Sequence, residues 1–126
     1  MTYDLKYETY PDYLLICIKG KWPSRQPQRI INAIKEILAD HTKQALLIDI
    51  RNMSDAPDTA RDYYEAKMFA DAGFWKIRRI AVLDGLPRKK ANDFFEITAY
   101  NRGLRFRFFY AGEKEAINWL KSTLIT

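Results

Sequence analysis

This chain of 126 residues has few of the residues on which many active sites depend, with one cysteine, one histidine and five glycines. The single cysteine, Cys17, excludes an internal disulfide and a zinc site made of paired cysteines. It lies in an apolar segment, which predicts a buried structural thiol. The only histidine, His41, lies at the end of a predicted helix with no catalytic pattern around it. We expect helix capping or solvent exposure at that position.

Recognisable catalytic motifs are also absent. The sequence contains no glycine-rich dinucleotide or phosphate loop, no HExxH and no GxSxG. Asp49 and Asp84 are predicted near the carboxyl ends of two central strands, where α/β proteins bind ligands, and Arg51 and Arg88 lie close to them in sequence. Aspartates at strand ends more often accept hydrogen bonds from loop amides. We therefore predict that the protein is not an enzyme and has no cofactor or metal.

Long hydrophobic runs are missing as well. The apolar run at residues 14–18 is too short to span a bilayer, and the amino terminus lacks the pattern of a leader peptide. We expect a cytoplasmic protein, at most peripheral at the inner face of the membrane. With 48% hydrophobic residues the chain is long enough for one core and too short for two ordinary domains, so residues 1–126 are predicted to form a single domain.

Positive charge is unevenly distributed along the chain. Residues 1–63 contain nine basic and nine acidic residues, whereas residues 64–126 contain twelve basic and seven acidic ones, so the second half carries the whole net charge of +5. This excess indicates either an ordinary solvated surface or a basic surface for phosphates or anionic headgroups. RNA binding is disfavoured, because the alternation in LRFRFF places arginines and aromatic rings on opposite faces of a strand.

Hydrophobic periodicity and turn residues predict alternating strands and helices. The predicted strands are residues 3–9, 13–20, 45–50, 77–83 and 104–109, and the predicted helices are residues 30–41, 59–72, 88–102 and a last one from about 112. The order β-β-α-β-α-β-α-β-α predicts a mixed sheet whose parallel strands are joined by helical crossovers.

The second predicted helix is apolar on two separate faces. One stripe suits packing on the sheet: Tyr63, Ala66, Ala70 and Gly73. The other carries larger side chains: Tyr64, Met68, Ala72 and Trp75. The third helix, with Phe94, Phe95 and Ile97, would cover this second stripe in the simplest interpretation. Otherwise the stripe faces a partner, a second copy, an apolar ligand or a bilayer, and the helix could act as a lid.

With its neighbours, this stripe gives the candidate binding site. The predicted ligand-binding or membrane-binding residues are Tyr64, Met68, Phe74, Trp75, Lys76, Arg78 and Arg79. Methionine, tryptophan and tyrosine are common on adaptable binding surfaces, and the basic residues would face anionic headgroups.

Three segments carry a family resemblance: LLIDIRNMS, RRIAVL and the closing block RGLRFRFFYAGEKEAINWL. Together with the order of the elements, they resemble the SpoIIAA-like proteins, relatives of the STAS domains of anti-sigma-factor antagonists. The resemblance implies a single α/β domain with about five strands in a mixed sheet, packed by about four helices. It also implies a non-enzymatic, cytoplasmic role and kinship in shape with the CRAL-TRIO lipid-transfer fold, in which a mobile helix covers an apolar cavity.

The phosphorylated serine of STAS antagonists has no clear counterpart here. The corresponding region reads SDAPDTAR, so Ser54 and Thr59 are the only candidate phosphosites. Asp55 and Asp58 would oppose an added phosphate by like-charge repulsion, which disfavours a phospho-switch.

Two functions follow from these observations. The first is a non-enzymatic module that binds an apolar or lipid-like small molecule and associates reversibly with an anionic membrane surface through residues 64–75 and the adjacent basic residues. The alternative is a STAS-like regulator that binds a protein partner or a second copy of itself.

Overall fold

The computed structural model describes residues 3–23, 25–41, 44–54 and 59–122, with the backbone alone for residues 59–63. Its strands are β1 (Tyr3–Thr9), β2 (Leu14–Lys21), β3 (Ala45–Ser54), β4 (Arg79–Leu83) and β5 (Phe106–Phe109). Its α-helices are α1 (Gln28–His41), α2 (Thr59–Asp71), α3 (Lys89–Tyr100) and α4 (Glu113–Lys121).

The five strands form one mixed sheet whose spatial order, β1-β2-β3-β4-β5, is also their order along the chain. The first pair is antiparallel, and each later strand is parallel to the one before it. The β1–β2 hairpin is closed by the Tyr10 amide, which donates to the Tyr13 carbonyl at 2.9 Å. Parallel neighbours need a crossover, and α1, α2 and α3 supply the three crossovers. The five-stranded sheet and four helices confirm the predicted fold class.

The larger core lies between the sheet and the three crossover helices. Leu14, Ile16 and Ile18 of β2 are buried there with the inward residues of β3 and β4. The helices contribute Ile30, Ile31 and Ile34 from α1, Ala66 and Phe69 from α2, and Phe95 and Ala99 from α3. A smaller core on the opposite face is covered by α4, whose Ala116 and Leu120 are fully buried. Because all the crossovers lie on one side, α4 alone packs on the other side of the described sheet.

An aromatic cluster joins α2 to its surroundings. The Phe69 ring makes edge-to-face contacts with Phe74 at 4.9 Å, Phe106 at 5.2 Å and Phe95 at 6.2 Å between ring centroids. Neither predicted stripe of the second helix included Phe69, so the inner face of α2 was predicted incompletely. Side-chain spacing alone favoured the small residues, whereas the structure buries Ala66 and Phe69 together.

The end of α2 is the clearest difference from the predicted elements. The α-helix ends at Asp71, Gly73 takes a φ of +89°, and Phe74–Lys76 form a short 3-10 helix. Gly73 ends the helix as predicted, because a positive φ is readily available only to glycine. The turn of the backbone there breaks the helical spacing, so Trp75 does not continue the stripe of Tyr64 and Met68.

Two further expectations need correction. Strand β3 is longer than predicted, because after an irregularity at Cys17 and Lys19 it continues to pair with β2 as far as Ser54. Cys17 is only partly buried. Its side chain lies on the face of β2 opposite the larger core, and burial raises the pKa of its thiol, an effect to which the nearby Asp49 adds.

No α-helix in the part of the chain that the structure describes is long and apolar enough to cross a membrane.

Candidate functional site

Large apolar side chains are exposed on the outer faces of α2 and α3 and on the 3-10 helix between α2 and β4. Tyr64 is 64% exposed and Trp75 is 55% exposed. On α3, Phe94, Ile97 and Tyr100 are exposed as well. The two helices are neighbours, since Phe69 of α2 touches Phe95 of α3. We call these five exposed residues, Tyr64, Trp75, Phe94, Ile97 and Tyr100, the helix surface.

The third helix therefore does not cover the second stripe. Phe95 points into the core and is 6% exposed, whereas Phe94 and Ile97 face outward. Trp75 lies beside the end of α3, where its Cβ is 4.0 Å from the position that a Cβ on Gly103 would take. The simplest interpretation of the sequence, in which α3 buries this stripe, is wrong for Tyr64 and Trp75.

Two of the four apolar residues predicted for binding, Phe74 and Met68, are not on this surface. Phe74 is 2% exposed and belongs to the aromatic cluster, so it cannot insert into a bilayer without unfolding its surroundings. Met68 is partly buried against the larger core. Phe74 and Trp75 are both large and hydrophobic, so the sequence does not separate them. The backbone turn at Gly73 decides which of the two side chains points inward.

The three basic residues beside Trp75 serve different purposes. Lys76 is exposed, with its Nζ 5.4 Å from the centre of the Trp75 ring. Arg78 donates to the carbonyl oxygens of Leu120 and Ser122, at 3.0 and 3.3 Å. Arg79 is buried, donates to the Trp119 carbonyl and lies over the indole ring of that residue. Both arginines therefore hold the C-terminal end of α4, where cations interact favourably with the free carbonyl groups.

A mostly apolar cavity of about 70 Å³ lies under α2. Its walls include isoleucines from β2, α1 and β3 and the phenylalanines Phe69, Phe95, Phe106 and Phe108. By the same measure one water molecule needs about 10 to 15 Å³, so the cavity has room for about five waters. It is therefore too small, in this conformation, for a long acyl chain.

Buried polar groups line two parts of this cavity. The Trp22 Nε1 donates to Glu65 Oε2 at 3.2 Å, and Glu65 is only 4% exposed. Glu65 is not among the residues that the sequence pattern singles out, and its carboxylate turns inward to the indole. No local sequence pattern predicts that Glu65 pairs with Trp22, which lies 43 positions earlier in the chain.

Asp84 organises the other polar part. Its carboxylate accepts from the Gly85 amide at 2.8 Å, from Arg88 Nε at 2.7 Å and from the buried Asn92 Nδ2 at 2.9 Å. The expectation that Asp84 bonds a loop amide is confirmed. The sequence pattern does not identify Asn92. It lies one helical turn after Arg88, and both side chains reach Asp84 only because α3 packs beside the end of β4. Three donors on one carboxylate make this a structural junction of β4 and α3.

Asp49 and Arg51 form an ion pair on β3, in which the Arg51 side chain is 43% exposed and the Asp49 side chain 16% exposed. Arg51 donates to both carboxylate oxygens, at 3.0 and 2.8 Å, and its amide donates to the same aspartate at 3.1 Å. Partial burial would raise the pKa of Asp49, but these bonds from Arg51 hold it below its ordinary value. Because β3 extends to Ser54, Asp49 lies within the strand and not at its end. Both oxygens of the Asp49 carboxylate are therefore engaged by Arg51.

The remaining candidates have structural contacts. The His41 Nδ1 lies 2.8 Å from the Ile37 carbonyl oxygen at the end of α1, which confirms the predicted capping. Ser54 is exposed at the end of β3, and its hydroxyl is 3.4 Å from the Gly20 carbonyl. Thr59 begins α2, but its side chain, like Asp55 and Asp58, lies outside the described residues. The prediction about the phosphosites therefore stays a prediction.

Within residues 3–23, 25–41, 44–54 and 59–122, no group of three or more histidine, cysteine, aspartate or glutamate side chains is arranged to hold a metal ion.

A five-stranded mixed sheet in sequential order, with three crossover helices on one face and a fourth on the other, defines the SpoIIAA-like class of α/β folds. Solved structures of this class are similar over nearly the whole chain. An anti-sigma factor antagonist from Mycobacterium paratuberculosis is 15% identical with a TM-score of 0.64, and the match covers 95% of each chain.

Two further structures support the fold. SpoIIAA in its unphosphorylated form, an anti-sigma factor antagonist, is 13% identical with a TM-score of 0.54, covering 97% of this chain and 100% of that one. An uncharacterized DUF3478-family protein with a SpoIIAA-like fold from Shewanella loihica is 21% identical with a TM-score of 0.59, covering 94% of this chain and 93% of that one. The chain matches no protein-family model and no curated protein sequence. The resemblance seen in the sequence is thus confirmed for the fold.

Proposed function

We propose that this protein is a non-enzymatic regulatory module that binds a protein partner through the helix surface. The single observation that carries the proposal is the exposure of five large side chains, Tyr64, Trp75, Phe94, Ile97 and Tyr100, on adjacent elements. Tryptophan and tyrosine are the residues most enriched at interface hot spots, and exposed groups of large apolar side chains mark interaction sites.

Two kinds of observation support this proposal over the apolar-ligand function. Two of the similar solved structures are anti-sigma factor antagonists, which are regulatory proteins by their description. The membrane interpretation relied on Phe74, Arg78 and Arg79 beside Trp75, and those three side chains are committed to the core or to α4. The proposal keeps the cytoplasmic location expected from the sequence.

Site-specific photocrosslinking in the native cells tests the proposal. A photoreactive phenylalanine analogue replaces Trp75, Ile97 or, as a control, the exposed Lys35 on α1. We expect positions 75 and 97 to give a discrete heteromeric product that position 35 does not give. Adding Tyr100→Ser should weaken the product from position 75 substantially, because losing a hot-spot aromatic costs about 2 kcal/mol or more, roughly 30-fold in affinity.

Two outcomes would contradict the partner proposal. Equal products from positions 35, 75 and 97 would mean that contact is unspecific. A product of the same mass from the purified protein alone would show that a second copy, and not another protein, covers the helix surface.

The apolar-ligand function is the second candidate, and the cavity under α2 favours it. A ligand larger than about five waters would need α2 to move away from the sheet, as a lid would. In this function the exposed Trp75 and Lys76 would touch an anionic membrane while the cavity accepts the ligand. Burying one tryptophan in the interface contributes about 1.5 to 3 kcal/mol, which suffices only for reversible binding.

Co-sedimentation with vesicles tests the second candidate. It predicts that the purified protein pellets with anionic vesicles at low salt, that high salt releases it, and that Trp75→Ser reduces the bound fraction about tenfold or more. Met68→Ser is the companion variant. Because Met68 is partly buried, it can contact the membrane only if α2 moves away from the sheet, so this variant reduces vesicle binding only in that case. Neutral vesicles are the matched control. Absence of binding to anionic vesicles without any partner would exclude the membrane function.

A further inference from the structure

Strand β5 forms an edge of the sheet within the described part of the chain. Its odd-numbered residues bond to β4, since the Ile80 amide donates to the Arg105 carbonyl at 2.8 Å and the Asp84 amide donates to the Phe109 carbonyl at 3.1 Å. In a parallel ladder the intervening residues direct their backbone groups to the other side. The amide and carbonyl groups of Phe106 and Phe108 therefore face away from the sheet, where an additional strand would bond.

Glu96 shows that a backbone donor is available on this side. The Phe108 amide donates to the Glu96 carboxylate, which reaches over from α3. Burial raises the pKa of Glu96, and this hydrogen bond opposes the rise. A side-chain carboxylate at this position occupies the place of the carbonyl oxygen of a neighbouring strand, which is one way in which proteins protect an exposed edge.

A groove of about 340 Å³ follows the same edge. Ile97 and Tyr100 of α3 form one wall, Trp119 of α4 forms the other, and β5 lies between them. A groove with an extended strand as its floor and aromatic side chains at its rims matches an extended peptide in shape. It is distinct from the cavity under α2, which lies on the inner side of the helices.

The charge of the groove is predominantly positive. Arg105 lies 5.5 Å from the Tyr100 ring, and Arg107 lies 5.9 Å from the Trp119 ring. Both arginines are exposed and form no ion pair with a carboxylate among the residues that the structure describes. The one acid that lines the groove, Glu96, bonds the Phe108 amide and also interacts electrostatically with Arg107. Two arginines therefore face one carboxylate, and the remaining positive charge favours an acidic occupant.

We propose that β5 accepts an extended acidic segment of a partner protein, which adds to the sheet as a sixth strand. This proposal rests on the proposed function, because it names how that partner is recognised. An added strand directs alternate side chains to opposite faces. One set meets Arg107 and Trp119, and the other meets Ile97 and Tyr100, with Arg105 beside the Tyr100 ring. Acidic residues therefore suit the first set and apolar residues suit the second.

A second copy of this chain fits the edge poorly. Pairing two β5 strands would bring Arg105 and Arg107 against the same residues of the other copy, and like charges opposite each other destabilise a sheet. Nucleic acid fits poorly as well, because Phe106 and Phe109 are buried and cannot stack on bases. A peptide satisfies both the backbone edge and the positive charge.

Fluorescence anisotropy with a labelled peptide of alternating aspartate and valine tests the proposal on the full-length protein. We expect saturable binding that salt weakens. An otherwise identical peptide, N-methylated on the residues whose amides face β5, should bind about tenfold more weakly or worse, since each lost hydrogen bond costs about 1 kcal/mol. Arg107→Glu should reduce binding by at least the same factor, and Lys35→Glu on α1 is the matched control.

Glu96 supplies a change in the opposite direction. Glu96→Ala frees the Phe108 amide for the peptide and also removes a negative charge from the groove. We therefore expect about tenfold tighter peptide binding. Circular dichroism melting of each variant shows whether it is folded, and Arg105→Glu replaces Arg107→Glu if that variant is not.

Three results would overturn the strand proposal: no peptide binding, equal binding of the N-methylated peptide, or equal losses in Arg107→Glu and Lys35→Glu. Crosslinking from position 75 separates the two proposals. If that crosslink persists while the peptide results are negative, the partner surface stands and the sixth strand does not.

Discussion

Replacing Asp84 with alanine should lower the free energy of unfolding by about 3 to 5 kcal/mol, because it removes the acceptor of a buried charged junction. Arg88 would lose its ion pair, and Asn92, which is 2% exposed, would keep a buried amide without that acceptor. The Gly85 amide would lose its partner at the same time. Urea unfolding followed by circular dichroism measures the change, and a two-state fit gives the free energy.

Asp71→Ala is the matched control for this prediction. Asp71 also pairs with a basic residue one helical turn away, since its carboxylate lies 2.7 Å from Lys67 Nζ, but both side chains are more than half exposed. We expect a change within about 0.5 kcal/mol, as for other exposed ion pairs. If Asp84→Ala and Asp71→Ala cost the same, the junction of β4 and α3 is not a source of stability.

Replacing Phe74 with alanine should cost about 3 to 5 kcal/mol, whereas Trp75→Ala should change stability by less than about 1 kcal/mol. The two residues are adjacent and both aromatic, but Phe74 is 2% exposed and touches Phe69, while Trp75 is 55% exposed. The cavity left by Phe74 would lie within the larger core. Thermal and urea unfolding of the two single variants check the contrast.

The same pair of variants also separates stability from binding. Trp75→Ala should leave unfolding nearly unchanged and weaken the crosslinked complex seen from Ile97. A loss of stability in Trp75→Ala as large as that in Phe74→Ala would mean that both rings are buried in solution. The helix surface would then be core, and the partner proposal would lose the observation that carries it.

The candidate site was predicted in part. Hydrophobic periodicity identified Tyr64 and Trp75 as surplus to the core, and the structure places both on the surface. The same pattern could not separate Phe74 from Trp75, because the choice depends on the backbone turn at Gly73. It also could not separate surface charge from internal pairing, so Arg78 and Arg79 were assigned to an anionic surface although they hold α4.

The polar groups inside the molecule were the hardest to foresee. Glu65 meets Trp22 across 43 positions of sequence, and no local pattern records such a contact. Asn92 is an ordinary helix residue until α3 lies beside Asp84. In both cases a hydrogen bond to another element offsets the cost of burying a polar side chain. Burial therefore depends on the pair of residues, and neither residue alone predicts it.

The sequence by itself determined the order of strands and helices and the class of fold, because periodicity and turn residues act over a few neighbouring positions. Tertiary structure alone decided which large side chains stay exposed, which basic residues remain unpaired and where an edge strand lies open. These properties depend on the packing of elements that are far apart in the chain. A strand such as β5 has the same local pattern at an edge as at the centre of a sheet, and only the absence of a further neighbour in the described sheet leaves its backbone for a partner.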